Sequence, residues 1–346
     1  MIRGRANTPM YSGIITNYIC TAACRHCMFS SYRYSKSLRG VGGMRDFITR
    51  EKAGELAEKL SAAGVDSVHI GGGEPFINFA ALCGLIEALG KRGIGIDYIE
   101  TNAFWAVKES FVRRRLRRLR KLGVTTVMPS VDPFHIEFVP LGRVLLLCKL
   151  LREEGLDYFI WQERYLRRLY KLDHGRTYSH EELCEILGDD YVAATAREYG
   201  IGMNGRALEI AGGIYPKRTA QAFIKDGETC NLLSPRHCHI DLYGNVVPSG
   251  CPGLALPLDE FLAARVDRGR YPAFARLLGG GIGALYEYAA GLGFTPDGGG
   301  YATKCALCFN IRTWLNENHP SPDIAPGCFY IAMKDNKTGG KTDETL

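Results

Sequence analysis

The sequence predicts an α/β fold: a curved, barrel-like parallel sheet followed by a small loop-rich unit held by metal. Three observations carry this expectation. Short β-rich runs alternate with amphipathic helical runs from residue 14 to about 212, as a parallel sheet with crossover helices requires. Chemically loaded residues gather at the carboxyl ends of the strand runs, the edge where (β/α) barrels place their chemistry. Beyond residue 213 the alternation gives way to Gly-, Pro- and Cys-rich sequence.

Taken in order, the expected strands are IITNYI (14–19), DSVHIGG (66–72), IGIDYIET (94–101), TTVMPSV (125–131), DYFIWQE (157–163) and GRALEIA (205–211). Most are rich in β-branched and aromatic residues, which suit a pleated, half-buried surface. Helical periodicity fills 50–63, 78–92, 109–122, 139–154 and, less regularly, 180–199. Gly64, Gly93, Gly123, Gly155 and Gly200 stand where these runs stop, as left-handed helix caps do. A doubly wound sheet fits the same count, and periodicity does not separate it from a barrel. Position favours the barrel: Cys20 onward, Gly71 to Pro75, Thr101 and Asn102, Ser130 and Asp132, and Gln162 and Glu163 all end strands. The expected units are 10–212, 213–335 and a disordered tail, NKTGGKTDETL, at 336–346.

The 346 residues are 46% hydrophobic and 23% charged, an ordinary globular balance. The longest apolar runs, such as VLLLC at 144–148, fall far short of the roughly 20 residues of a membrane-spanning helix. The amino end lacks the apolar core of a signal peptide, so a cytoplasmic protein without a membrane partner is expected. The net charge of +6 is local: RRRLRRLRK (113–121) holds seven basic residues and no acidic one. Val112, Leu116, Leu119 and Leu122 recur at helical spacing beside it, which predicts a solvated arginine face on a packed helix. A docking patch for an acidic redox partner is the second expectation. Nucleic acid is the least of the three expectations, because one basic helix without an interleaved aromatic platform is a weak signal.

Twelve cysteines in a compartment that keeps thiols reduced point to metal. Cys83, Cys148 and Cys184 sit alone in helical patterns and read as buried apolar residues. Cys20, Cys24 and Cys27 fall within eight residues, and Cys230, Cys238, Cys251, Cys305, Cys308 and Cys328 lie near the carboxyl end. A tetrahedral zinc site could recruit His26 as fourth ligand to the first three. A [4Fe–4S] cluster held by three thiolates instead leaves one iron open to a small molecule.

The CxxxCxxC of residues 20–27 after the first strand, with GGGEP (71–75) after the second, resembles the radical SAM superfamily. That resemblance implies a partial (β/α)6 TIM-like barrel with a [4Fe–4S] cluster on Cys20, Cys24 and Cys27. Its open iron would chelate S-adenosylmethionine (SAM), and reductive cleavage would yield a 5′-deoxyadenosyl radical that removes hydrogen from a substrate. Gly71, Gly72 and Gly73 would let backbone approach the SAM amine, since no Cβ intervenes. Glu74 would face inward or fix the loop, and Pro75 restricts it to an extended conformation. Ser130 and Asp132 are candidates for the ribose hydroxyls, Thr101 and Asn102 for further cofactor contacts, and His135 and Glu163 for acid-base groups. A flavodoxin- or ferredoxin-type donor would supply the electron.

The segment CNLLSPRHCHIDLYGNVVPSGC (230–251) with CALC (305–308) resembles the SPASM/Twitch extension of many radical SAM enzymes. The resemblance implies one auxiliary [4Fe–4S] cluster, first on Cys230, Cys251, Cys305 and Cys308. Alternatives are an open cluster on Cys305, Cys308 and Cys328, or a structural zinc. The spacing from Gly244 to Cys251 is longer than the usual form, and the second cysteine set is missing. Cys238 is then a candidate hydrogen-atom donor. Relatives so built crosslink or epimerise ribosomal peptides, or oxidise or epimerise sugars and other small molecules. Only 19 residues precede Cys20, too few for a winged-helix peptide-recognition domain, which counts against the peptide expectation without excluding it, and no cobalamin-binding domain is expected. From a different class, a non-catalytic zinc or iron-sulfur protein binding nucleic acid is the competing expectation.

Overall fold

The computed structural model describes residues 7–33, 46–161 and 163–337. Along the first part run β1 (Ser12–Ile15), β2 (Ile19–Cys20), β3 (Tyr32–Arg33), α1 (Arg50–Ala62), β4 (Ser67–Gly71), α2 (Phe79–Gly90), β5 (Gly95–Thr101), α3 (Glu109–Lys121), β6 (Thr126–Pro129), α4 (Leu141–Glu153) and β7 (Asp157–Tyr158). Helices follow: α5 (Arg164–Leu169), α6 (His180–Leu187), α7 (Tyr191–Tyr199), α8 (Ala207–Ile214) and α9 (Ala220–Asp226). The chain closes with β8 (Cys238–Asp241), β9 (Asn245–Pro248), β10 (Leu256–Pro257), α10 (Leu258–Leu262), α11 (Pro272–Gly291), α12 (Lys304–Asn318) and α13 (Gly327–Lys337).

One sheet runs in the order β10-β9-β8-β1-β4-β5-β6-β7. From β8 to β7 every neighbouring pair is parallel, so all carboxyl ends open on one edge, as in a partial TIM-like barrel. Ile14, Val68, Ile70, Ile99 and Val127 are fully buried between sheet and helices, which explains why these strands read as apolar runs. The five glycines expected to stop helices all take positive φ.

Two strand expectations fail. GRALEIA is not a strand: residues 207–214 form α8, with Ala207, Ile210 and Ala211 buried on one side. Its two polar residues, Arg206 and Glu209, stand three apart, a helical spacing that a seven-residue apolar run can hide, and packing decided for the helix. DYFIWQE pairs with β6 only through Asp157 and Tyr158; the chain then turns into α5, which buries Tyr165, Leu166 and Leu169. The sheet position beside β1 is filled instead by β8, from beyond residue 213. That later region is more helical than its composition suggested, with α11 of 20 residues and α12 of 15. Gly244 does form the expected turn, at φ +88° in the β8–β9 hairpin. Gln162 and residues 338–346 of the expected tail lie outside the described residues.

The basic stretch folds as α3, and its guanidinium groups are largely engaged. Arg113 pairs with Glu153 and Glu154, Arg117 with Glu154 at 2.8 Å and Arg118 with Glu87. Arg115 lies over the rings of Phe79 and Phe111. Carboxylates of the flanking helices thus balance this face. Among the described residues, no helix is long and apolar enough to cross a membrane.

Candidate active site

The residues following β1 leave the sheet as the loop that carries Cys20, Cys24 and Cys27. Two other segments hold this loop in place. From below, the glycine loop after β4 is laced to it by Gly73 N–H donating to Asn17 O (2.8 Å) and Glu74 N–H donating to Ile19 O (2.7 Å). A Cβ on Gly73 would stand 1.9 Å from Ile19 O, so no other residue fits there without parting the two loops. From the side, the Arg206 guanidinium donates to Cys24 O (3.0 Å) and Ser31 O (2.9 Å), and Arg206 N–H donates to Cys27 O. Arg206 is 4% exposed.

Glu74 is an internal strut. Its carboxylate accepts from Phe76 N–H (3.0 Å), Thr101 Oγ1 (2.9 Å) and Asn102 N–H (2.8 Å), binding the end of β4 to the end of β5. Burial pushes its pKa up to about 7, against the pull of those donors. Pro75 opens the short helical turn 75–78 and is buried with Phe76. Thr101 also accepts from Trp105 Nε1 (3.0 Å). Asn102 Nδ2 donates to Thr21 Oγ1 (3.0 Å) and toward Cys20 Sγ (3.4 Å).

A cavity of about 430 Å³ opens above this edge. Cys20, Cys24, Cys27, Gly72, Gly73, Thr101, Asn102, Ser130, Asp132 and His135 all line it. Of the residues expected at the site, Gly71, Glu74 and Pro75 lie behind this wall and shape it. Asp132 accepts from the backbone of Phe134 and His135, and its Oδ2 meets His135 Nδ1 at 2.6 Å and His26 Nε2 at 3.5 Å. Burial opposes charge here, yet His135 and His26 hold the Asp132 carboxyl below the ordinary carboxylate range. Burial would lower His135 too, but Asp132 and the Cys24 thiol raise it well above the usual imidazole value. Burial lowers His26 to about 4, with Asp132 opposing. The thiols of Cys20 and Cys24 are pushed up chiefly by burial.

Two expected catalytic residues stand elsewhere. Glu163 is exposed at the start of α5, because the strand that was to aim it ends at Tyr158. Cys238 is fully buried in the apolar core; strand alternation turns its neighbours His237 and His239 to the cavity and Cys238 away from it. A hydrogen-donor role for Cys238 finds no access to the cavity, and burial pushes its thiol up to about 12.

A second, smaller cavity gathers Cys230, Cys251, Cys305 and Cys308, with Lys304 and Arg312. Buried Arg312 donates to Pro252 O (2.8 Å) and borders the thiols of Cys308 and Cys251. Cys328 is buried near Tyr18 and Asp241 and does not line this cavity.

The cysteine-loop wall suits an iron-sulfur cluster in its donor chemistry: three sulfur ligands on one loop, with Ala22 N–H and Asn102 Nδ2 directed at Cys20 Sγ, the kind of outer hydrogen bond that tunes such clusters. Sequence reasoning missed Arg206, because it was placed on a strand. It also missed His69, His237 and His239, which line the cavity as well. The HCH of 237–239 was a legible signal, since two histidines at strand period share a face. Burial lowers His69 to about 4 and takes His239 well below the ordinary imidazole value.

Residues 14–170 match the family model of the radical SAM superfamily. YydG of Bacillus subtilis (strain 168), a protein named for peptide biosynthesis, is 28% identical over 120 residues, 35% of each chain. The match thus spans about a third of that relative's length. Streptococcus suis SuiB bound to its precursor peptide SuiA is 14% identical, covering 78% of this chain and 67% of that one, at a TM-score of 0.37. SuiB bound to SAM is likewise 14% identical, over 69% and 60%, at 0.33.

Proposed function

We propose, from the radical SAM domain at residues 14–170, that this enzyme cleaves SAM and modifies a peptide. The observation that carries the proposal is the single cavity shared by Cys20, Cys24 and Cys27 and by the glycine loop and strand-end polar groups. When bound, the [4Fe–4S] cluster and SAM supply reductive C–S cleavage and a carbon radical that removes hydrogen from the substrate. The chain's own residues do the placing. Cys20, Cys24 and Cys27 would hold the cluster, with Arg206 and the Gly73–Glu74 backbone bonds fixing their loop. Gly72 and Gly73 leave room at the cavity wall, and Ser130, Asp132 and Asn102 offer polar atoms to the cofactor. His135, bonded to Asp132 and to Cys24, is a positioning residue for the cysteine loop.

Four thiols around one small cavity support an auxiliary [4Fe–4S] cluster on Cys230, Cys251, Cys305 and Cys308, carried by the region 213–335, whose strands β8 to β10 continue the sheet of the first part. A flavodoxin- or ferredoxin-type protein would deliver electrons. The peptide substrate is supported by YydG, a relative matched over about a third of its length and named for peptide biosynthesis.

Anaerobic reconstitution tests the proposal. About eight irons per chain and dithionite-dependent release of 5′-deoxyadenosine are expected, the latter abolished by Cys24→Ala. Stimulation of that release by peptides encoded beside the gene, and not by a panel of sugars, supports the peptide. A reconstituted protein that binds iron and sulfide yet never yields 5′-deoxyadenosine overturns the enzyme assignment.

A further inference from the structure

Three histidines that neither the cysteine loop nor the glycine loop uses meet on the floor strands of the main cavity. Gly13 of β1 pairs in register with His69 of β4 on one side and His239 of β8 on the other. A Cβ on Gly13 would come within 2.3 Å of His69 Nε2 and 2.4 Å of His239 Cδ2. A glycine inside a strand forgoes packing, and commonly marks a place another group must enter. Here the groups that enter are two imidazoles, with Nε2 atoms 3.3 Å apart. His237 adds a third ring, and one nitrogen from each of the three lies within 4.8 Å of the others. Glu100 Oε1 stands 4.0 Å from His69 Nε2 and lines the same cavity.

We infer that His69, His237 and His239 form a binding site for one divalent cation of the Zn²⁺, Fe²⁺ or Co²⁺ kind, separate from the cysteine sites. Tetrahedral coordination with metal–nitrogen bonds of about 2.0–2.1 Å puts two ligand nitrogens about 3.3–3.4 Å apart, so His69 and His239 already stand at ligand spacing. His237 is exposed, and its ring already lies beside those of His69 and His239, at centroid distances of 5.6 and 4.8 Å, so a small rotation closes the remaining distance. Nitrogen donors favour single borderline ions where thiolates favour iron-sulfur clusters. The chain thus sorts two kinds of metal by ligand chemistry. Three protein ligands leave a fourth position facing the cavity, with Glu100 in reach, the arrangement that lets a bound ion take an oxygen of a substrate. That last role rests on the function proposed above; the site itself does not.

The test reads metal, not turnover. Cluster-loaded protein, its cysteines filled, is dialysed against Co²⁺ and its bound metal, iron and sulfide are counted. The expected result is one Co²⁺ per chain, with visible ligand-field bands and no sulfur-to-cobalt charge-transfer band. His237→Ala, at an exposed position, should weaken Co²⁺ by about tenfold or more, and Gly13→Ala should abolish binding by filling the space between the rings. Iron and sulfide stay at wild-type levels in His237→Ala, which separates this result from any failure of the SAM chemistry. Absence of bound Co²⁺ beyond the clusters, or equal affinity in His237→Ala, overturns the inference and leaves His69 and His239 as a hydrogen-bonded pair.

Discussion

Replacing Arg206 by methionine should loosen the cysteine loop without touching a cysteine. The arginine's two contacts, to Cys24 O at 3.0 Å and Ser31 O at 2.9 Å, are both buried. Methionine occupies similar length but offers no donor, so both carbonyls lose their side-chain donor. Hydrogen bonds from a charged group contribute about 1.5–3 kcal/mol each, which sets a gross loss of about 3–6 kcal/mol. Removing a buried charge offsets part of that loss, and the net cost should be about 3 kcal/mol. At urea slopes of about 3 kcal/mol/M this moves the midpoint down by roughly 1 M. The assay is urea unfolding of the cluster-free protein under anaerobic, reducing conditions, followed by circular dichroism, with iron retention after reconstitution measured in parallel. Arg206→Lys keeps the charge but brings one compact donor head instead of a fork, and should fall between wild type and methionine. An unchanged midpoint with full iron retention in Arg206→Met would refute the clamp.

Three further outcomes follow from other contacts. Gly73→Ala should abolish SAM binding and lower stability by about 1–3 kcal/mol or more, because its Cβ would meet Ile19 O at 1.9 Å; isothermal titration and melting curves check both. Cys305→Ala should cost about half the iron and sulfide while leaving the signal of the SAM-binding cluster in electron paramagnetic resonance; loss of neither would remove Cys305 from the ligand set. Arg117 and Arg113 hold the Glu154 carboxyl below its ordinary pKa. A depressed carboxylate contributes stability above its unfolded value near 4.5 and loses it as pH falls through the lower folded value. Glu154→Gln should therefore destabilise at pH 7 by about 1 kcal/mol, a difference that shrinks in acid and in high salt, read from melting temperatures across pH.

Particular residues show why some of the site was legible and some was not. Cys20, Cys24 and Cys27 announce themselves because soft ligands at short spacing on one loop have few other uses. Gly71 to Pro75 were readable as a close-approach loop, yet the approach at Gly73 turned out to be the chain's own backbone at Ile19, and one residue type serves either partner. Cys238 and His239 differ by one strand position, and only the register of β8 against β1 says which faces the cavity, since a slip of one residue exchanges the two faces. Glu163 went astray because a strand was extended past Tyr158, where pairing with β6 stops.

What the sequence determined by itself was what local chemistry carries: most of the alternating strands and helices, the glycine caps, the three-thiol loop, and a late set of six cysteines, of which only the structure brings Cys230, Cys251, Cys305 and Cys308 around one cavity. What only the tertiary structure decided was adjacency across long separations. Residues 13, 69 and 239 become neighbours because β8 pairs with β1, and Arg206 reaches the cysteine loop because α8 packs where a strand was expected. Periodicity records which face of an element is buried. It holds no information about which distant element buries it.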